Sequence, residues 1–123
     1  MNFISVRNQY KPHIQKLRVK YCNGFLSKLF GLMFIDNIAE DFGILLVNNA
    51  DTRMSSAIHM FFMNFDITLI WINSNKKVVD KKIAKRWFPL YLPTQKACYV
   101  LETHINRYSD YNIGDTLEFG DDV

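Results

Sequence analysis

His59 sits in Ile58-His59-Met60-Phe61-Phe62-Met63-Asn64, a polar ring among aromatic and methionine side chains. A neutral imidazole there can donate from one nitrogen and accept at the other. On a strand spanning Ala57–Phe62, His59 shares a face with Ala57 and Phe61. That placement predicts a half-buried ring kept neutral by desolvation. One reading is ligand recognition in a pocket formed by His59, Phe61, Met63, Asn64 and Trp87. A second is a small hydrolase-like or metal-dependent enzyme in which His59 works with a carboxylate, Asp66 or Glu102. The simplest is a structural histidine satisfied by backbone or by Glu102.

Other chemistry finds less support in the spacing. His13, His59, His104, Cys22 and Cys98 are scattered and form no ligand pair at metal-binding spacing, so no metal or cofactor is expected. Ser55 and Ser56 precede His59 by three or four residues, which does not aim a hydroxyl at the imidazole on a strand or loop. No Gly-x-Ser-x-Gly elbow occurs, and the glycines are too isolated to cradle phosphate. The basic run Lys76, Lys77, Lys81, Lys82, Lys85 and Arg86 leads into Trp87, Phe88 and Tyr91. Cations beside rings suit single-stranded nucleic acid or an anionic membrane surface. They also suit an edge strand guarded by lysines, followed by a loop that folds onto the core.

These side chains need a scaffold, and 123 residues supply one domain. With 49 % apolar and 22 % charged residues, a packed core is expected. The net charge of +3 is modest, but its distribution is uneven. Residues 1–35 carry six basic side chains and no acidic one, whereas residues 108–123 carry five acidic and no Lys or Arg. Two cysteines are too few for a disulfide framework, and both sit in strand-like apolar contexts. The N-terminus lacks the apolar run of a signal peptide, and no stretch reaches transmembrane length, so a cytoplasmic protein is expected. Partners implied by these features are a small ligand or another protein.

Local pattern assigns the elements. Residues 1–13 show no periodicity and read as an extension, and residues 120–123 read as an acidic tail around a β-rich domain over 14–119. Leu17, Val19 and Tyr21 alternate with Lys16, Arg18 and Lys20, a strand with one wet face. Phe25–Phe30 has helical spacing, stopped by Gly31. Gly43–Val47 reads as a short strand ended by Asn48–Asp51. Ile58–Phe62 and Ile67–Ile72 read as a hairpin, the second run apolar on both faces and therefore central in a sheet. Asn73–Lys76 turns into a returning strand over Lys77–Lys85, and Trp87–Pro93 is a loop. Ala97–Thr103 is a strand, Ile105–Tyr111 a short helix, and Thr116–Phe119 the last strand. The expected class is α+β: mainly antiparallel β, a small curved sheet or partly closed barrel, with two short helices.

Four segments in order resemble one family: Lys28-Leu29-Phe30-Gly31-Leu32-Met33, Gly43-Ile44-Leu45, Ile58-His59-Met60-Phe61-Phe62-Met63-Asn64-Phe65, and Tyr99-Val100-Leu101-Glu102 followed by Gly114-Asp115. Together they are similar to the domain of unknown function 192 family, in a branch with a His-x-Phe-Phe-Met centre. The resemblance covers residues from about Gly24 to Phe119. It implies a compact β-rich domain widespread in bacteria and archaea, with no activity assigned and with many relatives that look exported. This chain departs from the family where polar chemistry is expected. Asp66-Ile67-Thr68 replaces Pro-x-Asp, and Ile35 stands where a basic residue is usual.

Overall fold

A computed structural model describes residues 2–24 and 31–121. Seven strands form one sheet: β1 (Phe3–Asn8), β2 (Leu17–Cys22), β3 (Phe42–Thr52), β4 (Ile67–Ile72), β5 (Val78–Ala84), β6 (Ala97–Thr103) and β7 (Leu117–Asp121). Their order is β5-β4-β6-β3-β2-β1-β7. All neighbours are antiparallel except β2 and β3, which run parallel. The sheet curls until its edges meet at one end. There Lys77 bridges Thr116, and the backbone N–H groups of Val78, Gly114 and Leu117 donate to Asp115, Val78 and Lys76 at 2.8–2.9 Å.

The α+β expectation with two short helices is therefore corrected to a mixed all-β sheet. The only helix among the described residues is a six-residue 3-10 turn, Ile105–Asp110, capped by His104. A segment of that length closes too few hydrogen bonds to hold a regular α-helix. The helix read at Phe25–Phe30 lies outside the described residues. Residues 3–8, read as part of an extension, form a strand inside the sheet, flanked by β2 and β7. Gly120 and Asp121, read as tail, belong to β7.

β4 forms as its sequence predicts. Its six residues are all β-branched or large and apolar, and all are buried between β5 and β6. That placement undoes the expected hairpin with Ile58–Phe62, because both edges of β4 are already paired. Ile58 instead bridges Tyr91, and Met60 exchanges backbone bonds with Trp87 and Phe88. β3 runs five residues past its apolar stretch, through Asn48–Asp51, with a register shift between Val47 and Thr52.

Curling gives the sheet two unlike faces. The inner face packs Val6, Leu17, Val19, Leu45, Ile70, Leu101 and Leu117 into a core enclosed by the strands themselves. The outer face packs Ile44, Leu46, Ile67, Leu69, Trp71 and Val100 against Leu32, Ile38, Ile58, Met60 and Met63, which come from the connecting segments. Gly43 lets β3 lie close between its neighbours. A Cβ there would come 2.9 Å from the Glu102 carbonyl oxygen and 3.3 Å from Val19.

Candidate functional site

Three connections cover the outer face: residues 31–41, 53–66 and 85–96. Each places an aromatic residue in the left-handed backbone region, Phe34 at φ 68°, Phe62 at φ 62° and Trp87 at φ 66°. For bulky L-residues this conformation costs on the order of 1–3 kcal/mol each. Here neighbours enforce it. The Phe34 N–H donates to the Phe62 carbonyl at 3.0 Å, and the Trp87 N–H to the Met60 carbonyl at 2.8 Å. The rings then touch in sequence, Phe34 to Phe62 at 5.1 Å and Phe62 to Trp87 at 5.2 Å between centroids.

The rings are nevertheless wet. Phe34 is 63 % exposed, Phe62 44 % and Trp87 52 %. Beneath them Met60 and Met63 are buried. Of the eleven exposed large hydrophobic side chains among the described residues, eight lie in these three connections. Such concentration is unlike the scattered apolarity of an ordinary surface.

The residues singled out from sequence distribute themselves around this surface. His59 is not on a strand. It is half-buried, its Nδ1 accepts the Phe61 N–H at 3.3 Å, and its ring lies 5.5 Å from that of Phe61. The proton of the neutral ring therefore sits on Nε2. Phe61 is exposed, Met63 is core, and exposed Asn64 donates to the Ile35 carbonyl at 3.0 Å, tying two connections together. The described hydrogen bonds join His59 to neither Asp66 nor Glu102.

Asp66 accepts from the Arg86 N–H at 2.8 Å and from its Nε at 3.1 Å, with Lys85 Nζ at 3.8 Å. The Arg86 backbone bond, above all, holds this carboxyl below the usual carboxylate range. Arg86, Asp66 and His104 also line a shallow cleft over Ile38, Phe65 and Ile105. Sequence spacing suggests His104 only as a scattered metal-ligand candidate. Here its Nδ1 accepts the Asn106 N–H at 3.0 Å.

Glu102 occupies the covered outer face, opposite Ile44 and Leu69. Burial pushes its carboxyl up to about 7. Burial also pushes the Cys98 thiol up to about 11, which makes it a poor nucleophile. Among the described residues, no three His, Cys, Asp or Glu side chains converge as metal ligands would.

The basic run does not gather into one patch. Lys76 lies 5.1 Å from the Tyr99 ring and 5.3 Å from that of Phe119, and Lys77 is exposed at the closed end of the sheet. Lys81 covers the Tyr108 ring at 4.1 Å and donates to its carbonyl, with burial lowering its pKa. Lys82 donates to the Leu92 carbonyl at 2.8 Å. Only Lys85 and Arg86 stand beside the aromatic surface, at Asp66.

Phe34 and Phe62 are the parts of this surface that the residue-by-residue reading did not single out. Their signal was available as exposed-type aromatics in connections, but a left-handed backbone is normally advertised by Gly, Asn or Asp. No helix among the described residues is long and apolar enough to cross a membrane.

Comparison with known proteins agrees with this architecture. The chain is 42 % identical over 95 residues to the UPF0127 protein TK1120 of Thermococcus kodakarensis, covering 77 % of this chain and 59 % of that protein. It therefore spans less than two thirds of that relative's length. A UPF0127 protein of Thermococcus gammatolerans is 33 % identical over 91 % of this chain and 72 % of its own. A crystal structure of a protein of unknown function from Novosphingobium aromaticivorans superposes with a TM-score of 0.81, over 94 % of this chain and 83 % of that one, at 15 % identity. Residues 6–119 match the sequence pattern of DUF192, described as an uncharacterized ACR, and the chain belongs to that family.

Proposed function

We propose that this protein is a binding module whose outer loop face receives an apolar segment of a protein partner. The observation that carries the reading is the aromatic row Phe34, Phe62 and Trp87, half exposed and held by three strained backbone positions. Strain of this kind persists where the surroundings over-determine it, and it clusters at ligand-contacting sites. Aromatic, methionine and arginine side chains are also the types enriched at protein interfaces and their hot spots. His59 stands at the rim with its Nε2–H free of the Phe61 contact, and Asn64 and Arg86 border the same surface. The expected site is thus a surface with a polar rim rather than a closed pocket.

The test is a display of immobilised short random peptides, probed with wild-type protein and with a Phe62→Ala/Trp87→Ala variant of unchanged circular dichroism. Retention on peptides rich in apolar and aromatic residues, lost in the variant, is the expected result. Equal retention by both proteins overturns the site. Binding to anionic lipid vesicles or single-stranded oligonucleotides but to no peptide replaces the protein partner with a membrane or a nucleic acid.

A further inference from the structure

The three connections that carry the aromatic row also border a cleft of about 220 Å³. Asn37 and Ile38 follow Phe34, Phe65 and Asp66 follow Phe62, and Arg86 precedes Trp87. His104 and Ile105, at the start of the 3-10 turn, complete the lining. Ile38, Phe65 and Ile105 give the cleft an apolar part, and the other four side chains give it a polar one.

Donors are left over in that polar part. Arg86 donates from Nε to Asp66 at 3.1 Å and from Nη1 to the Asn64 carbonyl at 3.2 Å, while its Nη2 has no partner among the described residues. Held at two nitrogens, the guanidinium loses little freedom on meeting a ligand. His104 accepts the Asn106 N–H at Nδ1, so the neutral ring donates from Nε2. The Asn37 amide also has no partner among the described residues. By contrast, the one carboxylate of the lining is engaged. Asp66 Oδ1 takes both the backbone N–H and the Nε–H of Arg86, and Lys85 Nζ lies 3.8 Å from Oδ2. Lys85 and Arg86 against Asp66 leave one net positive charge. Glu40 is outside the lining, its carboxylate accepting the Asn106 amide at 2.9 Å.

We propose that this cleft binds the carboxylate of a small apolar acid, free or at the end of a chain. The hydrocarbon body covers Ile38, Phe65 and Ile105, while Arg86 Nη2, His104 Nε2 and the Asn37 amide donate to the carboxylate oxygens. Arginine beside a further N–H donor suits a planar monoanion. A cationic ligand finds no free carboxylate here, and a phosphate dianion finds one net charge and an apolar wall. The volume lies below the roughly 300–1,000 Å³ of pockets for drug-sized ligands, which points to a single ring or a branched alkyl chain. The site is separate from the aromatic row and stands whether or not that row receives a peptide.

The experiment is an amide NMR titration of the protein with isovalerate, phenylacetate and the tripeptide Gly-Gly-Leu, each beside its uncharged carboxamide. The expected result is saturable shifts at Asn37, Phe65 and Ile105, with a dissociation constant of about 1 mM or tighter. Binding at least about tenfold weaker is expected for the carboxamides and for Arg86→Gln, since a charge-assisted hydrogen bond is lost. If Arg86→Gln does not fold, His104→Asn decides, because it keeps an acceptor for the Asn106 N–H and removes the Nε2 donor. That variant is expected to bind the acids about threefold or more weakly, and unchanged affinity overturns the assignment. Tighter binding of the tripeptide than of isovalerate assigns the carboxylate to a chain end, and the reverse assigns it to a free acid; either outcome supports the site. Equal affinity for acid and carboxamide overturns the proposal. So do shifts confined to Phe34 and Phe62, and so does a failure to saturate by about 20 mM.

Discussion

The two faces of the sheet solve the same burial problem in different ways. The inner face is sealed by strands alone, with Val6, Leu45, Ile70 and Leu101 meeting across the curl and the edges joined near Lys77 and Thr116. The outer face is sealed by three irregular connections that accept left-handed aromatics and exposed rings. A layer selected for stability alone would carry none of these. The contrast locates stability inside the curl and the proposed recognition surface outside it.

Substitutions can test how sharp that division is. Leu101→Ala, in the inner core, is expected to lower unfolding free energy by about 2–5 kcal/mol in urea denaturation. Phe62→Ala on the outer face should lower it by roughly 1 kcal/mol or less, since the ring is already 44 % exposed. Comparable losses at both positions would mean that the layer is as much core as the curl.

Asp66→Asn is expected to cost about 1 kcal/mol, through the weakened bond to the Arg86 N–H. Its pH dependence runs opposite to that of Glu102, whose carboxyl burial raises. The Asp66 carboxyl is lowered on folding, so its contribution is present above the ordinary carboxylate value and fades as pH falls through the lowered one. An acid-side stability profile unaltered by Asp66→Asn would remove this residue from the layer's anchoring.

The smallest effect expected is that of Phe62→Gly, which loses ring contacts but relaxes φ 62°. A net change within about 1 kcal/mol is predicted, because the two terms oppose each other. A loss clearly larger than that of Phe62→Ala would show that the backbone at this position is not strained.

The legibility of these features in the sequence follows the same division. β4 and β6 were readable because burial on both sides leaves runs such as Ile67–Ile72 with no other home. β1 was not, since Phe3–Asn8 mixes Ser, Arg and Asn with its apolar residues and gains its strand from two neighbours distant in sequence. The parallel β2–β3 pair left no local mark either. For the proposed site, Ile58-His59-Met60-Phe61-Phe62-Met63 points to one of its connections, yet strand alternation puts Phe61 and His59 on a face that does not exist. The missing information was tertiary: β4 had no edge left to pair with this segment. Glu102 reads as a candidate partner for His59, but its burial depends on β6 lying between β3 and β4.

One pairing carries a consequence for how the molecule is made. β1 is hydrogen-bonded to β7, with Ile4 opposite Asp121 and Asn8 opposite Leu117. β1 is synthesised more than a hundred residues before β7 and therefore waits for it before its outer edge is filled. Contacts between such distant parts of a chain are slow to form and leave a pairing-competent edge open meanwhile. During synthesis β1 should therefore depend on shielding, and removing β7 should leave its edge open to pairing between copies of the chain.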